Sequence, residues 1–279
     1  MAILVETPSG KGAGDENFPV GSWLLPAELR PHIALFYAYA RAIDDIADSP
    51  NLAPADKVAR LDGFEAAITG KVIGAPGFEK ADRLRKSLRE TGVSAVHCVD
   101  LVSAFKQDAT KLRYRNWDEL MDYCNRSAAP VGRYLLDLHG EEKDGYRPAD
   151  ALCNALQVIN HLQDCKADYL NLDRVYLPLD WMGAAGVTVA DLGAGEASPG
   201  LREVLDRTLD AVDELLVVAR QLPSCLKSRR LAMESSTILR IAERLSELLR
   251  RRDPVAERVE LSPPAFLLCC VAGVWRVVT

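Results

Sequence analysis

The stretch Ala34-Leu-Phe-Tyr-Ala-Tyr-Ala-Arg-Ala-Ile-Asp-Asp-Ile-Ala-Asp48 indicates the fold, because it places acidic residues inside an otherwise apolar helical pattern. On an α-helix, with about 100° per residue, four polar side chains fall within about 60° of one another: Tyr37, Arg41, Asp44 and Asp48. The other faces are apolar, which is typical of a buried helix whose polar stripe faces an interior cavity. Asp45 points to the side of this stripe.

A second segment, Cys153-Asn-Ala-Leu-Gln-Val-Ile-Asn-His-Leu-Gln-Asp-Cys-Lys-Ala-Asp168, repeats this arrangement. Its polar stripe has the same steps of four, three and four residues: Gln157, His161, Asp164 and Asp168. Asn160 flanks the stripe. We therefore predict one long helix from Ala149 to Tyr169, with an aspartate pair that faces the same cavity as the first pair.

Two buried helices that each present an aspartate pair form an oxygen-rich site. Hard cations such as Mg²⁺ prefer a few carboxylates together with water and phosphate oxygens, and they neutralise the charge on a departing diphosphate. Buried carboxylates without a partner would be strongly disfavoured, which is the physical reason to expect a cation. We predict four Mg²⁺ ligands: Asp44, Asp48, Asp164 and Asp168. The alternative is a solvated helix surface, where most acid pairs at this spacing lie.

The rest of the chain also has helical periodicity, without alternating strand patterns or a fixed-period repeat. Hydrophobic residues make up 48% of the 279, enough for a substantial core. We predict an all-α, single-domain helical bundle with a central cavity over residues 16–279, after a polar, poorly ordered N-terminus at residues 1–15. The small residues between Ser127 and Gly132, with Pro130 among them, predict a kink or a restart of a helix.

The net charge of −6 argues against a general nucleic-acid-binding protein. Seven cysteines without metal-type spacing indicate reduced thiols in a cytoplasmic protein. We find no signal-peptide layout and no apolar run long enough to span a membrane. Ala265 to Val278 is the most apolar segment of the C-terminal tail. A buried terminal helix is the favoured interpretation there, and peripheral contact with a membrane is the alternative.

Between the two aspartate segments lie three basic residues, Lys111, Arg113 and Arg115, which could hold phosphate or form a solvated basic face. Tyr123 precedes the Pro130 break and could stack on a cationic intermediate.

These residues resemble the squalene/phytoene synthase family of head-to-head isoprenyl diphosphate synthases. Asp44-Asp-Ile-Ala-Asp48 is similar to the family's first aspartate motif, and Asn160-His-Leu-Gln-Asp-Cys-Lys-Ala-Asp168 to its second. Two further blocks match, Tyr123-Cys with Ala129-Pro-Val-Gly132, and Asp173-Arg-Val-Tyr-Leu-Pro178. The matches follow the family's order from about residue 15 to 180, which is highly specific. The resemblance implies the isoprenoid synthase helical bundle.

The resemblance also implies roles for individual residues. The four aspartates, with Asn160, would hold Mg²⁺ against the substrate's diphosphate, and Arg41 and Arg174 would pair with phosphate oxygens. Three residues are implied in catalysis, each with a packed core side chain as the alternative: Tyr37, Tyr123 and Gln157. His161 has no counterpart in the resemblance, and a core histidine is the favoured interpretation.

Glu16-Asn-Phe-Pro-Val-Gly-Ser22 distinguishes the chain within the family, since typical members carry a Ser-rich segment with a basic residue near this position. The stretch is most similar to the branch in bacterial hopanoid biosynthesis. That resemblance implies conversion of presqualene diphosphate and water to hydroxysqualene with release of diphosphate. It implies no need for NADPH, and neither Gly12-Ala-Gly14 nor Gly193-Ala-Gly195 completes a dinucleotide-binding fingerprint.

Two rival functions stay open at this point. The first is the condensation of two farnesyl or geranylgeranyl diphosphates to presqualene diphosphate, squalene or phytoene. The second is a catalytically silent helical assembly factor, which would have no need of four metal-spaced aspartates. In the implied pathway, a presqualene diphosphate synthase would supply the substrate and a hydroxysqualene reductase would consume the product. Oily reactants favour peripheral contact with the inner membrane.

Overall fold

Thirteen α-helices and one two-stranded sheet make up the part of the chain that the computed structural model describes, residues 5–7 and 24–278. The stretch from Glu16 to Ser22, and most of the N-terminus that we expect to be poorly ordered, lie outside the described residues. Residues 5–7 contradict that expectation. The Thr7 hydroxyl donates a hydrogen bond to the carbonyl oxygen of Asp45 (2.8 Å), and Arg60 donates to the carbonyl of Val5 (2.9 Å).

The helices follow one another along the chain, with two short 3-10 helices at Lys143–Gly145 and Val189–Gly193. Their bounds are α1 Arg30–Asp48, α2 Pro54–Ile68, α3 Glu79–Thr91, α4 Val96–Asp108, α5 Trp117–Ser127, α6 Ala129–Leu138, α7 Tyr146–Gln163, α8 Cys165–Leu172, α9 Leu179–Ala184, α10 Pro199–Ala219, α11 Leu222–Cys225, α12 Arg229–Arg251 and α13 Pro263–Val278. The strands are β1 Arg113–Tyr114 and β2 Val175–Pro178.

Local sequence signals explain several helix ends. The first helix ends at Asp48 because Ser49, which precedes Pro50, adopts an extended ψ of 120°. Asn116 caps α5 by accepting a hydrogen bond from the backbone of Glu119 (3.0 Å), which satisfies one of the free N–H groups of the first turn. The predicted restart near Pro130 is confirmed, since α5 ends at Ser127 and α6 begins at Ala129.

The predicted long helix from Ala149 to Tyr169 is two helices. Helix α7 ends at Gln163, α8 begins at Cys165, and Asp164 between them has non-helical angles (φ −104°, ψ 8°). Backbone hydrogen bonds still bridge the junction, because the Asp168 N–H donates to the carbonyl of Asp164 (2.8 Å). The irregularity therefore lies at one of the predicted metal ligands and keeps the second aspartate one turn away.

The small parallel sheet was not predicted, and the expectation of a chain without strands is wrong here. Val175 donates from its N–H to the carbonyl of Leu112 (2.9 Å), and all four residues of β2 are buried. Strands of two and four residues are too short to show the alternation on which strand prediction depends.

A single core fills the space between the long helices. The last turns of α1 lie within it, since Ile43 and Ile46 are fully buried, and α7 contributes Ala155 and Ile159. The polar stripes of α1 and α7 are thereby held in the interior of the bundle, as the apolar surroundings predict.

The C-terminal helix differs from the prediction of a buried helix. Its inner face packs on α12, where a Cβ on Gly273 would lie 2.4 Å from the Cα of Thr237, and Cys269 is buried beside it. Its outer face is exposed. No helix in the described part of the chain is both long and apolar enough to cross a membrane.

Candidate active site

The acidic end of α1 is organised by Arg41. Its guanidinium lies 3.2 Å from the carboxylate of Asp44 and 3.1 Å from that of Asp45. Asp45 is buried, with 7% of its surface exposed, and it helps to orient Arg41. The structure therefore places two of the predicted residues, Arg41 and Asp44, in direct contact.

The surroundings of Asp44 disfavour its ionised form. Burial, followed by the nearby carboxylate of Asp48, raises the pKa of Asp44 well above its usual value, and Arg41 only partly offsets this. Two partly buried carboxylates one helical turn apart repel each other when both are ionised. A cation bound between them or beside them would remove this penalty, which fits the prediction of a metal site.

Arg174 holds the last turn of α1 from the other side. Its guanidinium donates to the carboxylate of Asp48 and to the carbonyl oxygen of Ala47 (2.8 Å), and only 5% of Arg174 is exposed. The chain reverses at Asp173, which adopts a left-handed conformation (φ 51°, ψ 32°) at the end of α8. Arg174 thus joins the segment after the second aspartate motif to the first motif.

A buried carboxylate that the sequence analysis missed, Asp108, lies at the end of α4. It accepts hydrogen bonds from the hydroxyls of Tyr123 (2.6 Å) and Tyr176 (3.2 Å). Burial raises the pKa of Asp108 to about 6, although Arg174 acts to lower it. A signal was present in the sequence. Asp108 lies on the same apolar face of α4 as Leu101, and an acidic residue is unexpected on such a face.

Aromatic rings surround this carboxylate. The rings of Tyr114 and Tyr123 lie 5.4 Å apart, and those of Tyr114 and Tyr176 5.6 Å apart. The imidazole of His161 stacks on Tyr176 with centroids 3.5 Å apart and an interplanar angle of 9°. The structure thus brings Tyr123, a predicted site residue, together with Asp108, Tyr176 and His161, none of which we predicted as catalytic.

Asp108 should make the stability of the fold depend on pH. Its folded pKa is about 6, whereas an unfolded aspartate titrates near about 3.9, so the folded state binds the proton more tightly. The contribution is fully present below about pH 4 and is lost as the pH rises through about 6, with a maximum of about 3 kcal/mol. We expect the free energy of unfolding of the wild type to fall, over this range, relative to that of Asp108→Asn. Urea unfolding of both proteins without Mg²⁺ measures this, and parallel pH curves would contradict it.

His161 lies on the second stripe as a neutral core side chain. Burial, and then the positive charge of Arg174, lower the pKa of His161 to about 3. The side-chain nitrogen of Gln157 lies 3.2 Å from Nε2 of His161. This burial agrees with the favoured interpretation of His161, and it shows that Gln157 also has a partner within the bundle.

One aspartate of the second pair, Asp168, lies in the wall of a narrow pocket. Asp168, His161, Arg174 and Tyr176 contribute to its wall. Arg174 in this wall also contacts Asp48, so this arginine links the pocket to the first aspartate motif. Tyr37 and Asn160 are partly buried on α1 and α7, and their predicted roles stay predictions.

The other aspartate of this pair, Asp164, has 39% of its side chain exposed and lies 3.9 Å from the guanidinium of Arg258. The segment of Arg258 is fixed to this region, because the side chain of Lys166 donates to the carbonyl of Val255 (3.1 Å) and that of Gln163 to the carbonyl of Val259. Sequence analysis missed Arg258, since a single arginine in a connecting segment forms no pattern.

The three basic residues before α5 are paired outside this pocket. Lys111 lies 2.8 Å and Arg115 3.2 Å from the carboxylate of Glu119, and Arg113 pairs with Asp173. These contacts favour the solvated basic face over a phosphate site.

The aspartates do not form a ready cage for a metal. Within residues 5–7 and 24–278, no three His, Cys, Asp or Glu side chains are grouped so that they could hold an ion. Mg²⁺ commonly binds one or two carboxylates and takes its remaining ligands from water and substrate phosphates. Two separate aspartate pairs fit that chemistry better than a closed protein site would, so the four ligands stay predictions.

Comparison with known proteins settles the family. The squalene/phytoene synthase family model matches residues 12–265, which include both aspartate pairs and Arg258. The chain belongs to the squalene/phytoene synthase family. The recognition from the motifs, and the all-α fold that it implies, are confirmed.

Several relatives in the family are similar over most of the chain. The hydroxysqualene synthase of Rhodopseudomonas palustris is 44% identical over 96% of this chain and 91% of its own length. The hydroxysqualene synthase of Zymomonas mobilis is also 44% identical, over 96% of this chain and 91% of its own length. The phytoene synthase of Thermus thermophilus is 33% identical over 69% of this chain and 65% of its own length.

Solved structures of the family share the fold. The squalene synthase of Alicyclobacillus acidocaldarius matches with a TM-score of 0.73 and 32% identity, over 83% of this chain and 87% of that structure. A dehydrosqualene synthase structure matches with a TM-score of 0.78, over 95% of this chain and 92% of that structure. Its sequence identity is 20%, so this similarity shows the fold alone.

Proposed function

We propose that this member of the family converts presqualene diphosphate and water to hydroxysqualene and diphosphate, in squalene or hopanoid biosynthesis. The observation that carries the proposal is the 44% identity, over 96% of the chain, to a hydroxysqualene synthase. The partly buried aspartate pairs and the aromatic cluster provide the two environments that such a reaction needs, one for the leaving diphosphate and one for the carbocation.

The aspartate pairs and the arginines bind and orient the diphosphate. Mg²⁺, when bound, supplies positive charge that makes the diphosphate a better leaving group. Its proposed ligands are Asp44 and Asp48 at the end of α1, and Asp164 and Asp168 around the junction of α7 and α8. The guanidinium of Arg41 lies beside Asp44, and its planar set of N–H donors suits phosphate oxygens.

Arg174 acts mainly as a positioning residue. Its buried contacts with Asp48 and Ala47 keep the last turn of α1 in place, although its place in the pocket wall also leaves it near the substrate. Asn160 completes the set proposed for the diphosphate.

The aromatic cluster serves the other part of the substrate. When the carbon–oxygen bond to the diphosphate breaks, its electron pair leaves with the oxygen and a carbocation remains. The electron-rich ring of Tyr123 can stabilise that cation, and neutral His161, which stacks on Tyr176, adds no opposing charge. Water then forms the new carbon–oxygen bond and loses a proton. Tyr37 and Gln157 are the remaining catalytic candidates.

No hydride enters this reaction, so we propose that NADPH is not needed. The substrate requires an upstream enzyme that makes presqualene diphosphate, and the alcohol product requires a reductase. All seven cysteines are free thiols in the structure, which supports a cytoplasmic site for the reaction, at the inner membrane in view of the oily reactants.

A product assay with purified protein and Mg²⁺ tests the reaction. Presqualene diphosphate and farnesyl diphosphate are offered separately, each with and without NADPH. We expect presqualene diphosphate alone to give a hydroxylated C30 alcohol at a rate that NADPH does not change. Consumption of farnesyl diphosphate instead would contradict the proposal.

That second outcome would favour the runner-up function, head-to-head condensation of prenyl diphosphates. The 32% identity to a squalene synthase structure and the 33% identity to a phytoene synthase support this alternative. If neither substrate reacts, the non-enzymatic assembly factor becomes the better proposal.

A further inference from the structure

The outer face of α13 is a continuous apolar surface. Five large side chains lie within about 100° of one another around the helix and are each more than half exposed: Leu267 63%, Leu268 69%, Val271 59%, Trp275 67% and Val278 52%. Single exposed apolar residues are normal on a protein surface, but a contiguous face of this size marks an interaction site. The family match ends at residue 265, so nearly all of this helix lies beyond it.

Positive charge accompanies this face. From residue 227 to 279 the chain has ten Lys and Arg against six Asp and Glu, although the whole protein carries a net charge of −6. The only charged residue in α13 itself is Arg276. Within the described ranges, four exposed arginines of this region form no salt bridge. Arg251 is the last residue of α12, whereas the other three, Arg229, Arg230 and Arg276, lie at the opposite end of the pair of helices α12 and α13.

The packing of the last two helices brings Arg229, Arg230 and Arg276 to one end of the helix pair. Gly273 lies against Thr237, and the thiol of Cys269 lies 3.8 Å from the carbonyl of Arg240, so α12 and α13 run antiparallel. Arg276 therefore points toward the first turns of α12. Arg229 and Arg230 lie about one helical turn beyond the end of α13.

We propose that the outer face of α13 docks on the surface of a lipid bilayer that contains anionic phospholipids. An amphipathic helix with a wide apolar face, exposed tryptophan and flanking arginines is suited to lie in the plane of the interface, with its apolar side among the acyl chains. No described helix is suited to cross the bilayer, so the contact is peripheral.

The first turn of α13 lies near the candidate active site. Val259 accepts a hydrogen bond from Gln163, the neighbour of Asp164, and α13 begins four residues later. Four residues span at most about 14 Å, so the lipid-facing helix starts close to the second aspartate pair. Docking would therefore place the site near the membrane that dissolves a prenyl substrate; this consequence rests on the proposed function, whereas the docking itself does not.

Vesicle flotation of the full-length protein, without substrate, tests the proposal. We expect it to float with phosphatidylcholine vesicles that contain about 30% phosphatidylglycerol, and to bind pure phosphatidylcholine several-fold more weakly. Leu268→Gln combined with Val271→Gln should weaken binding about tenfold or more. The matched control replaces two equally exposed apolar residues elsewhere, Ile73→Gln and Val217→Gln, and should bind like the wild type.

Two further measurements complete the test. Arg229→Gln with Arg230→Gln should remove most of the preference for anionic vesicles, and backbone amide exchange of residues 263–278 in the wild type should slow when vesicles are added. The proposal is overturned if the wild type does not float with the anionic vesicles. It is also overturned if the control variant loses as much vesicle binding as Leu268→Gln with Val271→Gln. A dimer in sedimentation that Leu268→Gln with Val271→Gln dissociates, without vesicle binding, would assign the face to a second copy. Because no turnover is measured, failure here leaves the proposed reaction standing.

Discussion

Replacement of Asp44 by asparagine should reduce turnover about 10³-fold while it leaves the metal-free fold equally stable or more stable. The two effects have opposite signs for one reason. Burial and the neighbouring Asp48 disfavour the ionised form of Asp44, and its raised pKa means that this penalty grows as the pH rises above the usual carboxyl range. A neutral amide of the same shape removes the penalty, but it also removes a carboxylate that a cation would need.

The measurements are diphosphate release from presqualene diphosphate with Mg²⁺, and urea unfolding at neutral pH without it. Asp62→Asn is the matched control, because Asp62 is an exposed carboxylate on α2 that pairs only with Lys106 among described residues. It should change neither quantity appreciably. We expect Asp164→Asn to behave like Asp44→Asn in turnover. A variant at Asp44 that loses stability and activity together would indicate a structural role, and one that keeps full turnover would exclude it as a ligand.

The aspartate motifs could be found in the sequence because each lies within one short stretch of chain with helical spacing. The steps of four, three and four residues place Asp44 and Asp48 on one stripe, and an apolar remainder implies burial. This reasoning needs no knowledge of the partners across the bundle. The same holds for the helix restart at Pro130, which follows from the chemistry of a single residue.

The remaining site residues depend on tertiary contacts. Asp108 ends a helix that carries no recognised motif, and only the fold brings it between Tyr123 and Tyr176. The interruption at Asp164 is a matter of backbone angles, to which hydrophobic periodicity is insensitive. The exposure of α13 also escaped prediction, because an apolar helix at the end of a chain has the same composition whether one or both faces are covered.

The second large effect that we expect concerns Arg174, whose replacement by methionine should lower the free energy of unfolding by about 3–5 kcal/mol. Methionine keeps most of the side-chain volume but none of the charge. Asp48 would lose its guanidinium partner, and Asp108 would lose the cation that favours its ionised form in a buried place. An uncompensated buried carboxylate is costly, so the loss should far exceed that of an exposed ion pair. Urea unfolding at neutral pH, without Mg²⁺, measures it.

Arg244→Met provides the matched control, since Arg244 and Glu247 form an exposed pair on α12 with 41% and 56% of their side chains accessible. Its loss should cost less than about 1 kcal/mol. Adding Asp108→Asn to Arg174→Met should recover part of the stability, because it removes one of the two carboxylates left without compensation. A loss below about 1 kcal/mol for Arg174→Met, or no recovery in the double variant, would mean that Asp48 and Asp108 are satisfied by other groups. The link between the two aspartate motifs would then lie elsewhere than in this arginine.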